Sequence, residues 1–217
     1  MKYSTKYLRE KYGDHPRNPS YTFPDHFFAP NDVFTTFIEL WKEALKYYVD
    51  KPNLNFLEIG TGGCRSGIWT LENILTGDNC KLTTVDISAT RKWSKDQKVE
   101  SVVFDEDTEY DIRENLKPYI EENKCEFVES DSKKFLKTFN VEENKILDFI
   151  YIDGWHEPDY VVTDACLAWP SLKSGGILIF DDYGWGNCKF GIDGFLISHQ
   201  LQLDVVYKDW QVVIQKK

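Results

Sequence analysis

The sequence predicts an open α/β sheet of Rossmann-like type, mostly parallel, with helices on both faces and an antiparallel hairpin at its carboxyl end. Three observations lead there. From residue 54 onward, short apolar runs alternate with stretches of helical periodicity, the pattern of β–α–β units. The first run passes straight into Gly60-Thr61-Gly62-Gly63, a loop that opens a helix. The polar residues Glu58, Asp86, Asp131, Asp153, Asp181 and Asp182 all fall at the carboxyl ends of such runs. Open α/β sheets bind their ligands beyond those ends.

Composition bounds the reading. The 217 residues suit one domain, or one domain with a short arm, and 41% hydrophobic content is enough to fill a core. Lys+Arg is 26 against 36 Asp+Glu, a net charge of -10, so the basic footprint of a nucleic-acid binder is lacking. No apolar run approaches the roughly 20 residues of a membrane span, and the first residues lack the apolar stretch of a signal peptide. The cysteine count is odd, at 5, and no pair stands at C-x-x-C spacing, which suggests neither a disulfide framework nor a zinc site. A soluble, reduced, cytoplasmic protein is the expectation.

Residues 1–30 are polar, carry Pro16, Pro19, Pro24 and Pro30, and read as an arm or lid with little regular structure. The domain proper is expected over 31–217. Asn31 or Asp32 caps a helix whose apolar positions run from Val33 to Tyr48 at helical spacing. Strand 54–59 and the glycine loop follow, then a helix from Ser66 to Leu75 and a strand from Lys81 to Ile87 that contains Asp86. The stretch 88–124 is highly charged, with Asp105, Glu106, Asp107, Glu109 and Asp111 in one cluster. It reads as a solvated face or a local insertion rather than a metal site, with a helix near Ile112–Glu122.

Regular alternation then returns. Strands are expected at Cys125–Val128, Leu147–Ile152 and Ile177–Phe180, with helices at Ser132–Phe139, Tyr160–Trp169 and Ile192–Gln200. Leu203–Tyr207 and Gln211–Gln215 form the closing hairpin. His15, His26 and His199 have no partner at useful spacing and are expected to be structural or exposed.

The glycine loop lets a ligand approach the backbone, and the helix behind it offers free N–H groups. Arg65 stands where the last glycine of G-x-G-x-x-G would be, which disfavours a dinucleotide. Glu58 at the strand end would repel a pyrophosphate but suits a cationic ligand; the alternative is a structural or helix-capping carboxylate. Asp86 suits ribose hydroxyls, or is a strand-end turn residue.

The runs LEIGTGG, VDIS, VESDS and DFIYIDGWHEPDYVVTDACLAWPSLKSGGILIFDDYGWG together resemble the class I S-adenosylmethionine-dependent methyltransferases, over residues 54–217. The segment IDGWHEPDY…LKSGGILIFDDYGWG is the most specific part. It is similar to the metal-dependent O-methyltransferase branch that holds the catechol and macrocin-type sugar enzymes. The resemblance implies a seven-stranded sheet with the last strand antiparallel. It implies that Glu58, Gly60, Thr61, Gly62 and Gly63 hold the methionine part of the cofactor, that Asp86 binds the ribose, and that Asp131 and Ser132 lie by the adenine. Arg65 and the long 88–124 connection depart from the family pattern.

At the other end of the site, Asp153, Asp181 and Asp182 would meet at neighbouring strand ends. Three carboxylates in one place repel unless a cation joins them, and oxygen ligands favour Mg²⁺, Mn²⁺ or Ca²⁺. They are the candidate metal ligands; in the alternative, one of the pair caps a loop. His156 is the candidate base, or else a substrate-contact residue, with Asp159 behind it. Trp155, Tyr183 and Trp185 flank the proposed metal as acceptor-stacking or rim residues.

The expected activity is therefore S-adenosylmethionine-dependent O-methylation, assisted by Mg²⁺ or a similar ion, of a small hydroxylated acceptor. A sugar or glycoside comes first and a catechol-like phenol next. The alternatives are a metal-independent methyltransferase and a catalytically silent binding subunit. The arm closes over the acceptor pocket or swaps into a second copy, which leaves a homo-oligomer open.

Overall fold

The computed structural model describes residues 2–14, 17–100, 102–139 and 146–217. His15 and Pro16 lie outside them. A seven-stranded sheet forms the centre. Its strands, with the intervening short ones numbered in chain order, are β1 (Asn55–Ile59), β2 (Lys81–Asp86), β7 (Cys125–Glu129), β8 (Leu147–Ile152), β9 (Leu172–Phe180), β10 (Leu203–Lys208) and β11 (Val212–Lys216). The short ones are β3 (Thr90–Trp93), β4 (Lys98–Val99), β5 (Val102–Val103) and β6 (Thr108–Asp111). Spatial order is β10-β11-β9-β8-β1-β2-β7. The pairs among β7, β2, β1, β8 and β9 are parallel, and β11 runs antiparallel to both β9 and β10. Strand order reverses between β1 and β8, and the crevice at such a reversal is where open sheets take ligands.

The period of two along β1 and β8 builds two cores. Phe56, Phe149, Tyr151 and Ile179 point to one face. Leu57, Ile59, Ile150, Ile152, Leu178 and Phe180 point to the other. The first face is covered by α2 (Ile38–Leu45), α3 (Arg65–Asn73) and α4 (Arg113–Glu121), which contribute Trp41, Ile68 and Leu116. The second is covered by α5 (Ser132–Phe139), α6 (Pro158–Ala168) and α7 (Cys188–Ser198), through Leu136, Ala165 and Phe195. β8 is buried along its whole length, as a central parallel strand should be.

Three local expectations change. The arm is not devoid of regular structure: α1 (Thr5–Tyr12) is capped by the Ser4 side chain, and Leu8, Phe23, Phe27 and Phe28 are buried in the first core. The helix after Asp32 begins later than its apolar pattern suggests. Asp32 accepts from Phe34 N and Thr35 N and starts a 3₁₀ turn, with α2 following only from Ile38. β9 starts at Leu172, five residues before the expected Ile177.

The 88–124 stretch is a small antiparallel lobe plus α4: β3 pairs with β6, and β4 with β5. Its acidic cluster is engaged by the arm. Lys11 pairs with Asp105 and Glu106, Lys2 with Asp111, and Arg17 with Glu100. Neither the arm nor the lobe shows its packing in composition, because both read as polar.

Candidate active site

The loop after β1 owes its path to glycine. Gly60 has φ +90, and a Cβ there would lie 1.8 Å from the carbonyl oxygen of Asp153. Gly62 also has positive φ, at +51. The loop is pinned from the β2 side. Thr61 N and Gly62 N each donate to Asp86 Oδ2 at 3.1 Å. Arg91 Nη2 adds a third bond to the same oxygen at 2.8 Å. Arg91 belongs to the charged lobe, and its contact with Asp86 had no signal in the sequence beyond its place five residues downstream.

A cavity of about 420 Å³ opens beside this loop. Gly60, Gly62 and Asp86 line one side, Asp131 and Ser132 the far end, and Asp153 with Trp155 the other. Tyr160 also lines it, with the Lys133 ammonium 3.4 Å from its ring centroid. Such a volume suits a small ligand or cofactor. The far end is held in place from behind: Ser132 Oγ donates to both oxygens of Asp164 at 2.9 Å. Asp164 is buried on α6, and burial raises its pKa to about 6.

Glu58, Thr61 and Gly63 do not line the cavity. The side chain of Glu58 faces α3, not the loop mouth, because the alternation of β1 turns it to the first face. It is 2% exposed and accepts from the Ser66 hydroxyl and, at 2.7 Å, from Thr84 Oγ1. Thr61 Oγ1 extends this buried network to Thr84 at 2.5 Å. Burial lifts the Glu58 pKa to about 7 against the two hydroxyl bonds. Glu58, expected to meet a cationic ligand, braces β1, β2 and α3 from behind the loop.

The acidic end also rearranges. Ligand atoms of Asp153, His156 and Asp182 lie within 4.8 Å of one another. His156 Nε2 is 3.0 Å from Asp182 Oδ2, and this pairing raises the imidazole pKa. Asp181 is not in the group. Alternation after Phe180 turns it to the first face, where Tyr151 Oη donates to its Oδ2 at 2.5 Å and Asp182 N to its Oδ1 at 2.8 Å. Asp182 has φ +58, and that left-handed step carries its carboxylate away from its neighbour's. Asp181, expected among the ligands, stands beside the group and is linked to Asp153 through Tyr151 Oη, while His156 lies within it.

Like charges remain crowded. Burial, then Asp181 and Asp182, push the Asp153 carboxyl well above the usual range; burial pushes Asp181 up to about 6. Among the described residues no lysine or arginine pairs with Asp153, Asp181 or Asp182. Two carboxylates and an imidazole facing one point, with no lysine or arginine beside them, are a donor set that fits a divalent ion. Tyr151 was missed in the sequence. Its signal was a phenol two residues before Asp153 in an otherwise apolar stretch.

This strand order, with a glycine-loop cavity at its reversal, defines the class of S-adenosylmethionine-dependent methyltransferase folds. The family model described as "Methyltransferase domain" matches residues 57–183, more than half of the chain, and the chain belongs to that family. A comparison with curated proteins found no match. Among solved structures, the MycE methyltransferase of the mycinamycin biosynthetic pathway, in complex with Mg and SAH, aligns over the whole chain at 15% identity and TM-score 0.58. The chain spans 55% of that protein's length. The O-methyltransferase NovP aligns at 16% identity and TM-score 0.60, over 88% of this chain and 83% of NovP. An O-methyltransferase from Bacillus cereus in complex with SAH aligns at 17% identity and TM-score 0.57, over 88% of this chain and 84% of its own. Among the described residues, no helix is long and apolar enough to cross a membrane.

Proposed function

We propose that the protein is an S-adenosylmethionine-dependent O-methyltransferase acting on a small hydroxylated acceptor with the help of a divalent cation. The observation that carries this reading is the continuity of one cavity from Ser132, past Asp86 and Gly60, to Asp153. Likenesses to an enzyme solved with Mg, SAH and mycinamycin VI support the cofactor and the ion.

The chain's own groups divide the work. Asp131 and Ser132, the latter held by Asp164, border the adenine end. Asp86 presents its carboxylate to the ribose hydroxyls. The backbone at Gly60 and Gly62 allows the rest of the nucleoside to pass close to the loop. S-adenosylmethionine, when bound, supplies an electrophilic methyl on a cationic sulfur, so transfer is a direct displacement that leaves a neutral thioether.

Asp153 and Asp182 would hold the cation, and His156 shares the same point. A bound cation supplies charge that lowers the pKa of the acceptor hydroxyl and orients its oxygen. Trp155 and Trp185, 67% and 57% exposed, form an aromatic rim beside this point and can stack on an acceptor ring. A sugar or glycoside is the favoured acceptor, with a catechol-like phenol second.

The test is methyl transfer from labelled S-adenosylmethionine to a panel of glycosides and catechols, with added Mg²⁺ or Mn²⁺ and with EDTA. Transfer that EDTA abolishes and metal restores is expected. Transfer indifferent to EDTA would remove the cation from the reaction.

A further inference from the structure

We propose that Arg91 is the positioning residue of the nucleoside site: its guanidinium clasps the loops after β1 and β2 together and fixes Asp86 for a ribose hydroxyl. This deepens the reading of the cavity as a cofactor site and rests on it.

The contacts of one side chain carry the inference. Arg91 Nη2 donates to Asp86 Oδ2 at 2.8 Å, Nε to Gly62 O at 3.2 Å and Nη1 to Ser88 O at 2.5 Å. Gly62 belongs to the loop after β1 and Ser88 to the chain leaving β2, so one planar fork spans both. Asp86 and Gly62 line the cavity, and Arg91 does not. It therefore acts on a ligand through them. Among the described residues, no other lysine or arginine pairs with an aspartate that lines the cavity.

The bonds to Asp86 divide unevenly between its oxygens, each of which has two lone pairs. Oδ2 accepts from Thr61 N, Gly62 N and Arg91 Nη2, and is filled. Among the described residues Oδ1 accepts from Ser88 N alone, at 3.2 Å, which leaves it room for one ribose hydroxyl. Gly62, at φ +51, lies in a loop with the backbone freedom of glycine. Without the clasp that loop and the Asp86 side chain regain freedom, and ordering them opposes ligand binding.

The clasp has a rigid seat. Arg91 lies on β3 opposite Tyr110 of β6. Tyr110 is buried, with the Trp93 ring stacked on it at 5.3 Å and Phe28 of the arm edge-on at 5.5 Å. Tyr3 N of the arm donates to Glu109 O of β6 at 2.7 Å. The arm and the charged lobe thus have a task in common, which is to deliver one guanidinium to the two loops.

The experiment is a double-mutant cycle read by calorimetric titration of SAH into the full chain. Arg91→Ala is expected to weaken SAH binding about tenfold. Arg91→Lys should recover little, since an ammonium lacks the fork. In an Asp86→Ala background, Arg91→Ala should cost less than about twofold, because the group it positions is gone. Denaturant melts identify the variants that fold, and Arg91→Gln, which keeps one donor, carries the cycle where alanine unfolds the lobe.

A merely structural arginine would weaken binding equally in both backgrounds. Equal losses, or unchanged SAH affinity in Arg91→Ala, would overturn the positioning role. A gain in affinity would also overturn it and make Arg91 a competitor of the ribose for Asp86. Wild-type protein that does not bind SAH would overturn the cofactor reading itself, and this inference with it.

Discussion

Gly60 passes so close to Asp153 that the two loops share one volume: a Cβ on Gly60 would stand 1.8 Å from the Asp153 carbonyl oxygen. Asp153 N in turn donates to Ile59 O at 2.8 Å, and Gly60 N to Val85 O at 2.8 Å. The loop proposed to carry the cofactor and the loop proposed to carry the cation are therefore positioned by one another.

Gly60→Ala tests this coupling. The methyl cannot be accommodated without parting the loops, and φ +90 is unfavourable for alanine. Stability is expected to fall by about 1–3 kcal/mol. SAH and Mn²⁺ affinity should fall together, since one displacement disturbs both ends. Calorimetry on the variant checks it; loss of one affinity with the other intact would contradict the coupling.

Glu58 should behave as a buried brace. Its folded pKa of about 7 lies above the ordinary 4.5. The stabilising form is the protonated one, fully present below about pH 4.5 and lost as pH rises through 7. Glu58→Gln should abolish that loss and stabilise the protein at pH 8 by roughly 3 kcal/mol. Because Glu58 does not line the cavity, SAH affinity should stay within a few-fold. Denaturant melts across pH 5–8 and one SAH titration decide it; a large loss of SAH binding would return Glu58 to the ligand contacts.

Arg65, the residue that breaks the dinucleotide spacing, anchors the arm. It is 4% exposed, pairs with Asp14 at 2.8 Å, and donates to Asn31 O and Ala29 O. The rings of Phe23 and Phe27 each lie 4.9 Å from its guanidinium carbon. Arg65→Ala would leave Asp14 to Arg9 alone, at 3.3 Å, and open the aromatic clamp, at a cost of about 2–3 kcal/mol. Arg65→Lys should rescue little, since lysine lacks the planar fork. Limited proteolysis should then cut within the first 30 residues; an uncut arm and unchanged melting would show that the clamp contributes nothing.

Much of this was legible in the sequence because strand ends are local features. Short runs that stop at an acid mark β2, β8 and β9, a run that stops at Gly60 marks β1, and the structure puts Asp86, Asp131, Ser132 and Asp153 on one cavity. Side-chain direction was less legible. A period of two assigns faces only once the register is known, so Glu58 and Asp181 read as cavity-facing although both point to the first core. The turn at Asp182 depends on a positive φ that aspartate tolerates but does not announce. The arm and the acidic lobe were opaque for another reason. Each buries itself against the other through ion pairs and scattered aromatics, which leave no periodic signal. Ser132 and Asp164, 32 residues apart, join only through tertiary packing.

The central claim is that the cavity binds the nucleoside of the methyl donor through Asp86. Calorimetric titration of SAH into the wild type and Asp86→Ala tests it most directly. The account predicts micromolar binding to the wild type. It predicts a loss of about tenfold to a hundredfold in the variant, the value of charge-assisted hydrogen bonds to a ribose. Wild-type protein that does not bind SAH, or Asp86→Ala that binds it equally well, would contradict the assignment of this cavity.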